Sequence, residues 1–85
     1  MFIYSAEFKK RFKRLHRKIQ ERLAERLEVF ALDEFDPSLQ NHALHGEFGE
    51  CRSINITGDY RLVYRTIEKR VYLLISIGTH SQLYE

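Results

Sequence analysis

The second half of the chain most limits what it can fold into, because two alternating segments and one nearly continuous apolar run are parted there by two turns. Arg52-Ser53-Ile54-Asn55-Ile56-Thr57 alternates with the period of a half-buried strand, Ile54 and Ile56 facing inward. Gly58-Asp59 is a turn signal of the tight-hairpin kind. Tyr60 to Ile67 alternates again, with Tyr60, Leu62 and Tyr64 on one face and Arg61, Val63 and Arg65 on the other. Glu68-Lys69-Arg70 makes the next turn, and Val71 to Ile77 is nearly continuously apolar, as expected of a central strand buried on both faces.

The first half carries the other period. Phe2-Ile3-Tyr4 reads as a short first strand, and Ser5 as an N-cap with Glu7 in the first helical turn. Phe8, Phe12, Leu15 and Ile19 draw one helical stripe, and Ile19, Leu23, Leu27, Phe30 and Ala31 continue a second to about Leu32. One uninterrupted helix with so narrow a stripe would be long for so small a domain. The pattern therefore predicts a helical hairpin turning near His16-Arg17-Lys18. Asp33 to Asn41, with the only proline at Pro37, is a connecting loop that leaves through Gly46 and Gly49. The expected fold is α+β in the order β-αα-βββ, a helical hairpin packed on a small, mostly antiparallel sheet.

With 85 residues the chain has room for one domain spanning 1–85, and its apolar content of 44% suffices for a packed core. Cys51 is the only cysteine, which excludes an internal disulfide and a cysteine-based zinc site and suits the reducing cytoplasm. No stretch approaches the roughly 20 apolar residues of a membrane span. The apolar start, Met1-Phe2-Ile3-Tyr4, is too short for a signal peptide, so a cytoplasmic location without membrane partners is expected. The formal charge is only +2, yet Lys9, Lys10, Arg11, Lys13, Arg14, Arg17 and Lys18 form one basic run, followed by the acids from Glu21 to Asp36. Such segregation fits either a solvated helix face or a surface that meets anions.

Several side chains have the chemistry for a site. Arg61 and Arg65 share a strand face and Arg52 lies on the neighbouring strand, so three guanidiniums offer a phosphate cradle or simply keep an open sheet face soluble. His80 follows a strand-ending Gly78-Thr79, with Tyr84 one helical turn later. Histidine is the side chain best suited to moving a proton near neutral pH. Asp59 is either turn chemistry or a carboxylate that accepts a proton or orients a neighbour. His42 and His45 add titratable groups before the sheet; with no thiolate or acidic pair beside them, neither a metal nor a cofactor is expected, and His16 reads as surface. Acid, base and phosphate clamp are the parts needed to cleave RNA by its own 2′-hydroxyl.

Leu44-His45-Gly46, the run Cys51-Arg52-Ser53-Ile54-Asn55-Ile56-Thr57-Gly58-Asp59-Tyr60-Arg61-Leu62-Val63-Tyr64-Arg65 and the ending Ile77-Gly78-Thr79-His80-Ser81-Gln82-Leu83-Tyr84 resemble the RelE/ParE toxin superfamily, the tail resembling its YafQ-like branch. The resemblance implies a bacterial toxin neutralised by a cognate antitoxin, cleaving mRNA in the ribosomal A site without metal and leaving a 2′,3′-cyclic phosphate. Carried over by position, it makes His80 the general acid, Asp59 a base or orienter, and Arg61 the group that stabilises the transition-state phosphate. His42 matches an active-site histidine. Tyr84 matches the aromatic that positions substrate, with Arg52, Arg65 and Asn55 beside it as substrate-binding residues. Asn55 stands where YafQ-like toxins carry a second sheet histidine, which leaves the base open between Asp59 and His42. The run Lys9, Lys10, Lys13, Arg14, Arg17 and Lys18 is then expected to grip ribosomal RNA or dock an acidic antitoxin segment. Two alternatives are a ParE-like toxin that binds DNA gyrase and an inactive antitoxin-binding relative, the latter favoured only by Asn55.

Overall fold

Phe2–Tyr4 forms β1, which runs parallel to the strand Val71–Thr79, here β5, with Phe2 opposite Tyr72 and Tyr4 opposite Leu74. The structure is a computed structural model and describes residues 1–84. Ser5 ties the first helix to the sheet twice over. Its hydroxyl accepts from the Phe8 amide at 3.0 Å as an N-cap and donates to the Ile75 carbonyl at 2.6 Å. Helix α1 spans Ala6–Arg14, with Glu7 in its first turn and Arg11, Lys13 and Arg14 in its last, which suits the helix dipole at both ends.

The chain turns at Leu15 and His16, and α2 runs Arg17–Leu32. The expected hairpin is present, and His16 is more than surface: its Nδ1 accepts from the Lys18 amide at 3.1 Å and caps α2. Gln20 Nε2 donates to the Phe12 carbonyl at 2.8 Å and clasps the two helices.

After α2 a short helical turn at Pro37–Leu39 is capped by Asp36, and the fully buried Leu39 plugs the core beneath it. Two hydrogen bonds from Ser38 hold the Asp36 carboxyl below its usual range. His42–Ala43 then forms β2, a strand too short to leave an alternating signature in the sequence. The remaining strands, β3 at Arg52–Thr57 and β4 at Tyr60–Glu68, follow the expected meander into β5. The strand order is β1-β5-β4-β3-β2, with all pairings antiparallel except β1 to β5.

One face of the sheet carries Ile54, Ile56, Leu62, Tyr64, Leu74 and Ile77 against Phe8, Leu23 and Phe30 of the hairpin. Burying one such side chain contributes roughly 1.5–3 kcal/mol. The other face has a smaller cluster of Cys51, Val63 and Leu83. Leu83 belongs to α3, His80–Tyr84, which folds back over that face. Central strand β5 departs from the expected burial. Leu74, Ser76, Ile77 and Gly78 are buried, whereas Val71 to Leu73 and Ile75 are only half-buried, because α3 and the helices cover just its C-terminal part on both sides. Val63 pairs with Ser76 and Tyr64 with Leu74, so Ile75 is an extra residue in β5 and makes a bulge there.

Candidate active site

Arg61 projects from β4 onto the face away from the helical hairpin. Asn55 stands directly opposite on β3 and Gly78 opposite on β5. Its Nε donates to Ser53 Oγ at 2.8 Å, and Ser53 is fully buried, so one edge of the guanidinium is anchored to the sheet. One terminal nitrogen donates to the Gln40 carbonyl at 3.3 Å and lies 3.3 Å from His42 Nδ1. His42 Nδ1 is itself 3.1 Å from that carbonyl. The Gln40 carbonyl can only accept, and two donors reach it: the Arg61 terminal nitrogen and, in the tautomer with its proton on Nδ1, His42. In that tautomer the Nε2 atom carries the lone pair. Gln40 has φ +49°, and this left-handed turn is what aims its carbonyl at both residues.

His80 is set by α3. The amide of His80 donates to the Asp59 carbonyl at 3.1 Å, joining the start of α3 to the β3–β4 turn. Thr79 and Gln82 cap the helix reciprocally: the Thr79 amide donates to Gln82 Oε1 at 2.9 Å and the Gln82 amide to Thr79 Oγ1 at 3.3 Å. Gly78 leaves room for this cap, since a Cβ there would lie 2.7 Å from Gln82 Oε1. One turn on, the Tyr84 ring packs against the His80 imidazole at 4.7 Å between centroids.

His42, Arg61, His80 and Tyr84 converge, with Leu44, on a cleft of about 280 Å³. Four of the residues read from the sequence are thus brought together, and Asn55 flanks Arg61. Asp59 joins the site through its backbone carbonyl, while its exposed side chain is not among those lining the cleft.

The three-arginine cradle does not assemble. Arg52 shares the face of Ile54 and Ile56, where its Nε donates to Asn41 Oδ1 at 2.6 Å and its guanidinium sits 5.2 Å from the Phe35 ring centroid. Strand alternation puts it on the opposite side of the sheet from Arg61. Arg65 is exposed four residues along β4 from Arg61, a rise of about 13 Å.

The basic run lies on α1 and the start of α2, with Lys9, Lys10, Lys13, Arg14, Arg17 and Lys18 all exposed. Arg17 pairs with Glu21 at 3.2 Å, a solvent-exposed bond of small energetic value. Lys10, Arg11 and Arg14 line a polar cleft of about 460 Å³ with Tyr60 and Gln82, so the basic helix reaches the flank of α3.

Ser53, Gln40 and Gln82 were not singled out from the sequence, although Thr79-x-x-Gln82 has the spacing of a capping box. Also unforeseen is the polar network beneath the site. Tyr64 donates to Glu34, Asn41 Nδ2 donates to the Tyr64 hydroxyl at 2.7 Å, and Arg52 completes the chain at Asn41, one residue before His42. Burial and the Glu34 carboxylate push the Tyr64 hydroxyl well above the ordinary tyrosine range. Burial likewise raises the Cys51 thiol, so this cysteine is a packing residue.

A helical hairpin on a five-stranded mixed sheet is the fold of RelE-like toxins. The chain superposes on YafQ from E. coli strain BL21(DE3) with a TM-score of 0.84 at 17% identity, over 100% of this chain and 98% of that one. The corresponding figures are 0.78, 19%, 100% and 97% for the E. coli DinJ-YafQ toxin-antitoxin complex, and 0.77, 17%, 93% and 96% for a YoeB/ParE toxin from Agrobacterium tumefaciens. No curated protein matches the sequence. Residues 2–85 match the family described as "Bacterial toxin of type II toxin-antitoxin system, YafQ", and the chain belongs to that family.

Proposed function

We propose that this toxin is an endoribonuclease that cleaves mRNA in the ribosomal A site. The observation that carries the reading is the convergence of two imidazoles, one anchored guanidinium and one aromatic ring on a single cleft. His42 Nε2 takes the proton from the 2′-hydroxyl, and the freed oxygen attacks the adjacent phosphorus. Arg61 stabilises the charge on the five-coordinate phosphorus. His80 gives its proton to the departing 5′-oxygen as the P–O5′ bond breaks. The products are a 2′,3′-cyclic phosphate and a 5′-hydroxyl. Base, cation and acid all come from this chain.

The structure bears on the choice of base. His42 lines the cleft, and with its proton on Nδ1 toward Gln40 its Nε2 is free to accept, whereas the Asp59 side chain stays outside. Asp59 positions His80 through its carbonyl. Asn55, an amide where a base would otherwise stand, donates to the Gly58 carbonyl at 3.3 Å and steadies the turn that carries Asp59. Tyr84 supplies a face on which a base stacks.

Exposed Lys9, Lys10, Lys13, Arg14 and Lys18 support ribosomal RNA binding, which would place the action in the cytoplasm. A cognate antitoxin is the expected protein partner, as family membership and the likeness to a toxin-antitoxin complex suggest. The test is end-group analysis of mRNA from programmed bacterial ribosomes treated with the protein. Cyclic-phosphate ends that require the ribosome support the reading. Intact mRNA with inhibited DNA supercoiling would instead identify a gyrase-binding toxin.

A further inference from the structure

On the other side of Tyr84 lies a second cleft, of about 340 Å³, lined by His45, Glu47, Phe48, Leu83 and Tyr84. Tyr84 lines both this cleft and the one holding His42, Arg61 and His80, so the two are neighbours across one ring. The wall is a built loop. The Leu44 amide donates to the Cys51 carbonyl at 3.0 Å, the Cys51 amide to the Phe48 carbonyl at 2.9 Å, and the Gly49 amide to the Gly46 carbonyl at 3.0 Å. Gly46 at φ +70° makes the reversal that brings Phe48 edge-on to Tyr84, with 5.9 Å between centroids and 89° between planes.

The chemistry of the lining is specific. Two aromatic rings and Leu83 suit a flat, apolar face. Glu47, by contrast, is an exposed acid beside an otherwise cationic site, and no ion pair among the described residues engages it. A carboxylate repels phosphate, so in an RNA-binding cleft its use is to accept from base donors. Guanine alone presents two adjacent donors on its Watson–Crick edge, N1–H and N2–H₂, that match two carboxylate oxygens. Adenine and cytosine each set a ring-nitrogen acceptor beside their amino group, and uracil flanks its single N–H with carbonyls. Guanine O6, next to N1–H, accepts a hydrogen bond from an imidazole N–H such as that of His45.

We propose that this cleft binds the guanine base of a nucleotide flanking the scissile phosphate, with Glu47 as the residue that selects it. The inference deepens the RNA-cleavage reading and rests on it for the identity of the ligand.

The test is an NMR titration of the intact protein with 5′-GMP and, separately, 5′-AMP. GMP is expected to shift the amides of Glu47, Phe48 and Tyr84 and to bind at least about tenfold more tightly than AMP, the discrimination of one good bidentate contact. Glu47→Gln, at an exposed position that leaves the core untouched, should bring the two affinities within about twofold, since an amide offers one acceptor in place of two. Equal affinities in the wild type, shifts confined to other residues, or a preference that survives Glu47→Gln would each overturn the proposal. Because the readout is binding, a protein that selects GMP here yet cuts no mRNA would overturn the reaction proposed above and leave the guanine site standing.

Discussion

Arg61 and Ser53 are joined across β3 and β4, with the guanidinium Nε donating to a hydroxyl that has no exposure to solvent. The bond holds one edge of the guanidinium in the sheet and turns the other toward Gln40, His42 and the cleft. A surface arginine without such an anchor samples many rotamers, whereas this one is held in one orientation by Ser53 and Gln40.

Ser53→Ala should therefore cost more in catalysis than in folding. Losing one partly buried hydrogen bond destabilises by about 1 kcal/mol. Loss of the anchor should slow single-turnover cleavage about tenfold, close to 1.4 kcal/mol of transition-state stabilisation. Paired thermal melts and rate measurements distinguish the two effects; a rate unchanged by the substitution would show that Arg61 is positioned by other contacts.

The two arginines of β4 should behave differently. Arg61→Ala should lower the cleavage rate by at least about tenfold. Arg65→Ala, at a site about 13 Å further along the strand, should change it by less than about twofold. A shared loss in both variants would mean that substrate runs along β4 rather than across it.

Gly78→Ala places a methyl group 2.7 Å from Gln82 Oε1, so the capping side chain must leave Thr79. Loss of a cap of this kind costs about 1 kcal/mol. The expected result is faster hydrogen exchange in α3 and slower cleavage, because His80 starts that helix. Exchange in β3 and β4 should be little altered.

Tyr64→Phe removes the hydroxyl that Asn41 donates to and that donates to Glu34. Leaving these partners unmatched should destabilise the fold by about 1–3 kcal/mol. The same hydroxyl sets an alkaline window. Its folded value lies above the ordinary value of 10.0, so its contribution is complete below pH 10. Above that, the unfolded chain ionises first and stability falls until the folded value is passed. Tyr72, also raised, acts in the same direction. Denaturant titrations from pH 9 upward should show a shallower decline in Tyr64→Phe than in the wild type.

Local signals in the sequence reached most of the architecture. The hairpin followed from the spacing of Phe8, Phe12, Leu15 and Leu23, and the meander from Ile54, Ile56, Leu62 and Tyr64 with the Gly58-Asp59 turn. Strand β2 escaped because two residues have no period. The bulge at Ile75 escaped because it depends on how β4 and β5 align. For the site, His80, Arg61, His42 and Tyr84 were singled out by residue type and by the family resemblance, and the structure brings the four to one cleft. Arg52 was misplaced. Residue type gave it to the phosphate, and only its register opposite Tyr64 reveals that it serves Asn41 on the other face. Ser53 and Gln40 were invisible for a related reason: a buried serine hydroxyl and a backbone carbonyl have no distinctive sequence signal.

The proposed reaction has His42 as base and His80 as acid in the cutting of mRNA. The most direct test is primer extension on mRNA from a cell-free bacterial translation reaction, run with wild type, His42→Ala and His80→Ala. Ribosome-dependent cuts are expected with the wild type and at least a hundredfold loss of cutting in each variant, within the range of general acid–base catalysis. Full cutting by either variant would contradict it.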